Sequence, residues 1–351
     1  MRTVVKTTDS ENIDQKVIDE AAAILKKGGL VAFPTETVYG LGANGLDSNA
    51  CRKIYEAKGR PSDNPLILHI GEIEQLEEIA DDIPDCAEQL MDAFWPGPIT
   101  IIFKKKSIVP DSVTGNFGTV AVRFPSNKIA RSLINAAGVP IAAPSANTSG
   151  KPSPTRASHV LFDMNGKIDM IIDGGPTRFG LESTIIDVST DVPTILRPGA
   201  ITSEMIETVI GYVEIDPAVR GGAVKTAPRA PGMKYTHYSP NARVILVKGE
   251  DKKVIEEINR LVEEQKSLGL KAGVMTTDEN KDKYNNADAV LSLGSRSDDE
   301  QIGANLFKML RKFDFLGIDV VYSEVFDESG EGSAIMNRLR KAAGNSFIEV
   351  K

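Results

Sequence analysis

Two short motifs set cations and hydroxyls at spacings that suit an anionic ligand: Lys58 and Arg60 in "EAKGRPSDNPLILHI", and Ser145 and Asn147 in "APSANTSGKPSPT". Cations placed where a helix stops can be held rigidly above a sheet edge, where phosphate or carboxylate groups are welcome. The competing reading is a plain helix end, with Lys58 complementing the helix dipole, Gly59 as the cap and Pro61 blocking continuation. Two more charges stand at strand ends. Arg123 closes "TVAVRFP" and Arg197 ends the strand of "ILRPGAI", and a charge there calls for a ligand or an acid. "GLESTIIDV" adds Glu182, Ser183 and Thr184, and "FPTETVYGLGANGLD" adds two threonine hydroxyls, a carboxylate and a tyrosine beside permissive glycines. That composition suits the floor of a pocket for a small polar ligand, or else a tight strand-to-helix turn. Taken together, Lys58, Arg60, Arg123 and Arg197 with their ring of hydroxyls point to chemistry done by positioning and charge on an anionic substrate.

Gly40, Gly42 and Gly45 also fit G-x-G-x-x-G, which raises the question of a dinucleotide. In that fold the first glycine closes a strand and the third lies inside the following helix. Here the strand is expected to end near Glu36, Thr37–Gly40 intervene, and the helix starts after Gly45 at a separate cap. The acid at a suitable distance, Asp63, precedes a strand instead of ending one. "SGKP" at 149–152 fails as a Walker A loop, because Pro152 stands where the magnesium-binding hydroxyl belongs.

The elements that must position these residues follow from periodicity. A helix is expected over 14–27, then the strand "LVAFPTE", a glycine-rich loop, a helix "NACRKIYEAK" capped by Asp47 or Ser48, and the strand "PLILHI". Two helices with acidic outer faces, strands "ITIIFKKK" and "TVAVRFP", a helix "KIARSLINAAG", the strand "VPIAAPSAN", a helix near 156–167, the strand "DMIIDGG" and a hairpin over 183–199 complete the first part. Strands crowd together and helices do not strictly alternate, so we expect an open, twisted α/β sheet of mixed direction. Residues 215–243 read as a linker. Beyond it, strands and helices alternate as in a small Rossmann-like α/β domain. The expected division is 1–214, 215–243 and 244–351.

At 351 residues the chain has room for two cores. No apolar run reaches membrane-spanning length and no secretory signal opens the chain, so a cytoplasmic protein with no membrane partner is expected. Cys51 and Cys86 stand far apart, and His69, His159 and His237 are scattered, which argues against a zinc site or a disulfide. Residues 1–214 hold 20 Lys+Arg against 28 Asp+Glu, so the whole net charge of −8 lies there. Tight, sequence-independent nucleic-acid binding by the first part is thereby disfavoured.

The ordered run "GGLVAFPTETVYGLGANGLD", "KGRPSDNPLILHI", "WPGPITII", "VAVRFP", "APSANTSG", "STIIDV" and "RPGAI" resembles the YrdC-like threonylcarbamoyl-AMP synthase family over about residues 12–210. The linker and the small domain resemble its two-domain branch. The resemblance implies a concave open sheet with a large cavity, and an enzyme that joins L-threonine, bicarbonate and ATP into L-threonylcarbamoyladenylate with release of pyrophosphate. Mg²⁺ would accompany ATP, with no dedicated metal site in the protein. The product would pass to a tRNA threonylcarbamoyl transferase complex, with tRNA as a weak further contact. By the same resemblance Lys58 and Arg60 would be catalytic and, with Thr119, Ser145, Asn147, Ser153, Arg197, Tyr235 and Tyr238, would hold ATP. Thr35, His69, Arg123 and Ser183 would bind threonine, with Arg123 on its carboxylate; His69 as a satisfied core histidine is the alternative. Residues 227–240, which include "APGMKYTHYSP", are expected to fold over the site as a lid, or else to glue the two domains together. A different class of reading is an RNA-binding module without chemistry of its own, and a third is carbamoyl transfer to another acceptor.

Overall fold

The computed structural model describes residues 2–220 and 237–351. Helix starts follow their caps: Asp14 accepts from the Lys16 amide, Asp47 from those of Asn49 and Ala50, and Asn127 from that of Ala130. In chain order the first part runs β1 (Val4–Thr7), α1 (Gln15–Lys26), β2 (Val31–Phe33), β3 (Gly40–Asn44), α2 (Ser48–Lys58), β4 (Ile67–His69), α3 (Glu74–Ile79) and α4 (Asp85–Phe94). It continues with β5 (Ile99–Lys104), α5 (Asp111–Thr114), β6 (Thr119–Arg123), α6 (Lys128–Ala137), β7 (Ile141–Ala142), α7 (Ala157–Met164) and β8 (Met170–Asp173). β9 (Thr184–Asp187), β10 (Thr194–Arg197), α8 (Ser203–Ile210) and β11 (Glu214–Ile215) close it.

These strands form one mixed sheet in the order β1-β8-β2-β3-β7-β4-β6-β5-β9-β10-β11. One finding corrects the sequence reading. "GLGAN" is not a loop but strand β3, antiparallel to both β2 and β7. Its glycines answer packing demands: a Cβ on Gly42 would lie 2.8 Å from the Phe33 ring and 2.9 Å from Ile141. A Cβ on Gly45 would lie 2.5 Å from Leu68. The glycine spacing therefore reflects close strand packing and no phosphate cradle. β2 is also shorter than expected, since Pro34 has no amide hydrogen to continue the ladder.

Helices cover the sheet unequally. α1 and α6 pack against Val31, Phe33, Ile141, Ala143 and Met170. Residues of α2, α4, α7 and α8 bury the opposite face through Leu68, Ile101, Val122 and Ile186. A third cluster, Ile67, Ile102, Ala121, Ile185 and Leu196, is made of strand residues alone.

The second part holds β12 (Arg243–Lys248), α9 (Asp251–Ser267), β13 (Ala272–Thr276), β14 (Ala289–Ser292), α10 (Asp299–Phe315), β15 (Val320–Glu324), α11 (Gly332–Ala342) and β16 (Phe347–Glu349). Its five strands pair in the order β14-β13-β15-β12-β16, all parallel. α9 buries one face against Ile245, Val247, Val274 and Tyr322. Phe313 of α10 lies over Gly273 on the other, where a Cβ would come within 2.6 Å of its ring. By compactness the chain divides into Met1–Ser149, Ser153–Arg178 and Glu182–Lys234 on one side, and Gly150–Pro152, Phe179–Leu181 and Tyr235–Lys351 on the other. No helix among the described residues is long and apolar enough to cross a membrane.

Candidate active site

Residues that pair directly across strands share a face. Ile141, His69, Arg123, Thr100 and Ile185 are such partners in turn across β7, β4, β6, β5 and β9. α6 and α1 bury the Ile141 end of this row. Beyond it, the same face carries the strand-only cluster, and no helix residue joins that cluster. The Phe33 and His69 rings stand nearly perpendicular with centroids 6.3 Å apart, at the border between the two halves.

Arg123 is 4% exposed and Glu36 7%, and they form an ion pair: Arg123 Nη2 donates to Glu36 Oε1 at 2.7 Å. The open alternative at Arg123, ligand or acid, is thus met by an acid. Arg123 Nη1 donates to Thr37 Oγ1 at 2.9 Å. Thr35 Oγ1 donates to the Val38 carbonyl at 2.6 Å, so the 2.9 Å contact between Thr35 and Thr37 hydroxyls has Thr37 as its donor. Both hydroxyls are then fixed in direction. Glu36 Oε2 and Arg123 Nε are buried with no hydrogen-bond partner among the described residues.

His69 is fully buried, and this burial, followed by the Arg123 charge, lowers its pKa to about 3. It is a neutral imidazole near pH 7, with Nδ1 3.2 Å from the Ile67 carbonyl. On the far side of Arg123, the hydroxyl of Thr100 lies 2.8 Å from that of Ser183. Arg197 Nε donates to the Ser183 carbonyl at 3.0 Å, and its Nη2 to Ser183 Oγ at 3.1 Å. Thr35, His69, Arg123, Ser183 and Arg197 therefore gather around one row of the sheet.

The segments that carry Ser145 and Ser153 meet the chain at Tyr39 and Gly40, where the 35–39 loop enters β3. Gly40 bridges Ser145, the Ala146 amide donates to the Tyr39 carbonyl at 2.8 Å, and the Tyr39 amide donates to the Pro154 carbonyl at 2.9 Å. Buried Ser153 donates to Glu182. Lys58 is 2% exposed, and its ammonium donates to the backbone carbonyls of Ser145 and Asn147. Ser145 Oγ in turn donates to Asn147 Oδ1. The K-x-R and S-x-N motifs thus meet, with Lys58 fastening the loop that carries Ser145 and Asn147. Arg60 donates to the carbonyls of Asn64 and Pro65 at 3.3 and 2.9 Å. Thr119 begins β6 half-buried. Tyr238 belongs to the second unit, buried against Phe307 at 5.0 Å between centroids and under the Arg338 guanidinium at 6.0 Å. Tyr235, and with it most of the expected lid, lies outside the described residues.

Sequence reasoning marks a carboxylate at position 36 and a second threonine hydroxyl at 37 but gives neither a role of its own, and it passes over Thr100. The signals are present. Arg123 calls for an acid, and Thr100 interrupts the apolar strand "ITIIF". Among the described residues no group of three or more His, Cys, Asp or Glu side chains is gathered as for a metal ion.

A family model described as "Telomere recombination" matches residues 23–199, and one described as "Threonylcarbamoyl-AMP synthase, C-terminal domain" matches 201–344. The threonylcarbamoyl-AMP synthase of Pyrococcus abyssi is 53% identical over 340 residues, covering 97% of this chain and 98% of the relative. That of Bacillus subtilis is 48% identical over 348 residues, covering 99% of each. A crystal structure of P. abyssi Sua5 complexed with L-threonine superposes with a TM-score of 0.94 at 52% identity, covering 99% of this chain and all of that one.

Proposed function

The chain belongs to the threonylcarbamoyl-AMP synthase family, and from that premise we propose how its first unit makes L-threonylcarbamoyladenylate from L-threonine, bicarbonate and MgATP. Arg123, buried beside the strand-only cluster with its Nε meeting no hydrogen-bond partner among the described residues, is the observation that carries the reading. It would take the threonine carboxylate, with Thr35, His69 and Ser183 around the rest of the amino acid. A neutral His69 suits the threonine hydroxyl, because it adds hydrogen bonding without a second charge.

The amine, once neutral, combines with bicarbonate to give a carbamate and water. A carbamate oxygen then attacks the α-phosphorus of ATP and pyrophosphate leaves. The carbamate is already an anion, so the protein's task in this step is alignment and charge. Arg197, Arg60, Thr119 and Ser153 are the side chains we assign to the nucleotide, with Ser145 and Asn147 on a loop that Lys58 holds in place. A magnesium ion would arrive as part of the nucleotide substrate, carried by phosphates and water. The product is consumed in tRNA modification, and we place the reaction in the cytoplasm with a tRNA threonylcarbamoyl transferase downstream.

Omission of substrates tests this reading. Pyrophosphate release should need L-threonine and bicarbonate together. Release at an equal rate without threonine would refute it.

A further inference from the structure

Two short segments from the first part of the chain, Gly150–Pro152 and Phe179–Leu181, are members of the second unit by compactness. Their neighbours in sequence are residues assigned above to substrates. Ser145 and Asn147 stand just before Gly150–Pro152 and Ser153 just after it, while Glu182 and Ser183 follow Phe179–Leu181. Where the two segments end, the chain is tied together again, because buried Ser153 donates to the buried carboxylate of Glu182.

One helix of the second unit takes hold of both segments. Gly180 lies on α10 so closely that a Cβ there would stand 2.5 Å from the Ala304 Cα, and its φ of 70° is in the left-handed region that favours glycine. A Cβ on Gly303 would meet Leu181 at 3.3 Å. About two turns along the same face of α10, Arg311 Nη2 donates to the Pro152 carbonyl at 2.6 Å. The Ser239 amide donates to the Gly150 carbonyl at 2.9 Å and Lys151 donates to Asn241, so every residue of the first segment is held. The peptide joining Pro152 to Ser153 is planar. Its oxygen is the one Arg311 holds, so the guanidinium fixes the backbone of Ser153 at its amide.

We propose that α10 is a positioning element for the reaction and that Arg311 is its principal residue. Through the Pro152 carbonyl it sets Ser153, and through Ser153 the Glu182 carboxylate, so that the nucleotide side of the site is in place before ATP arrives. This rests on the assignment of Ser153 to the nucleotide given above. It gives the second unit a part in the reaction through the chain that it holds.

Two other roles for Arg311 make different statements. Serving only the stability of the second unit, it would on removal lower the melting temperature and the fraction of active protein, which scales kcat and leaves every KM unchanged. Meeting ATP itself, it would act independently of Ser153.

Steady-state pyrophosphate release by the full-length protein separates the three. Arg311→Ala is expected to raise the KM of ATP on the order of tenfold and to leave that of threonine within about threefold. Arg311→Lys, which still donates one hydrogen bond, is expected to return the KM of ATP to within about threefold of wild type. Ser153→Ala is expected to raise the KM of ATP on the order of tenfold, and adding Arg311→Ala to it should change that by less than about twofold, since residues that act through one another are not additive. An unchanged KM of ATP in Arg311→Ala, or full additivity with Ser153→Ala, would overturn the inference and leave the proposed function standing. An unchanged KM of ATP in Ser153→Ala would instead remove the nucleotide assignment, and this inference with it. If Arg311→Ala proves unfolded by its melting curve, Arg311→Met, which keeps the stem and drops the donors, takes its place with the same expected and contrary results.

Discussion

A buried glutamate is paired with an arginine in each half of the molecule, Glu36 with Arg123 and Glu324 with Arg296, yet the two pairs are treated differently. Glu324, at the end of β15, is saturated: Thr276, Asn280 and Tyr284 donate to Oε1, and Asn280 and Arg296 to Oε2. Among the described residues, one oxygen of Glu36 and one nitrogen of its partner Arg123 have no hydrogen-bond partner. Burying a charge is tolerable when each lone pair is answered, and Glu324 meets that condition as a structural knot binding β13, β15 and the segments that follow β13 and β14. The Glu36–Arg123 pair meets it only in part. On the function proposed above, the difference separates a polar cluster that holds a fold from one that takes part in binding a ligand.

The largest effect expected from breaking this contrast is at Arg123. Arg123→Ala should lower turnover with threonine on the order of a thousandfold, and it also strands Glu36 at a cost of about 3–5 kcal/mol of stability. Glu324→Gln should lower stability by about 1–3 kcal/mol and leave kcat and the KM of both threonine and ATP within about twofold. Unfolding curves and pyrophosphate release on both variants check the pair. A loss of activity from Glu324→Gln at temperatures where the protein is folded would erase the distinction.

A smaller loss is expected at Lys58. Its ammonium ties the carbonyls of Ser145 and Asn147, so Lys58→Ala should cost on the order of a hundredfold in turnover by releasing that loop. A residue that merely complemented a helix end would cost under about 1 kcal/mol, read as stability. Steady-state kinetics beside a melting curve tells the two apart.

The smallest effect concerns His69. Its folded pKa is depressed from 6.5 to about 3, mainly by burial and then by Arg123. The unfolded imidazole therefore binds a proton that the folded one refuses. Stability from this group is complete above about pH 6.5 and is lost as pH falls toward 3, by up to a few kcal/mol and at a slope of about 1.4 kcal/mol per pH. His69→Gln should flatten that part of the stability profile in denaturant titrations between about pH 4 and 7. An unchanged slope would mean that other groups produce it.

Much of the framework is legible in the sequence because caps and strand patterns are local signals. Asp14, Asp47 and Gly59 each mark a helix end where the structure has one. The strand β3 is not legible. Glycine raises the expectation of a turn, and the reason for Gly42 is the Phe33 ring and Ile141 pressing from neighbouring strands, a demand visible only once the strands are assembled. The site divides in the same way. Arg123, Ser183 and Arg197 stand out as polar residues at the ends of apolar runs. Glu36 also ends an apolar run, but its role is not legible, because its meaning lies in a partner 87 positions away. Lys58 stands out as a cation, but its hold on the Ser145–Asn147 loop depends on how α2 ends beside that loop.

The claim that unused buried polar atoms mark the ligand site can be tested on the unaltered protein. In a sample labelled with ¹⁵N-arginine, the Nε–H resonances of Arg123 and Arg296 are assigned and followed as L-threonine is added. The account predicts that Arg123 Nε–H moves and becomes slower to exchange with water as it gains an acceptor, while Arg296 Nε–H stays in place. An Arg123 signal indifferent to saturating threonine, or equal shifts at both arginines, would contradict it.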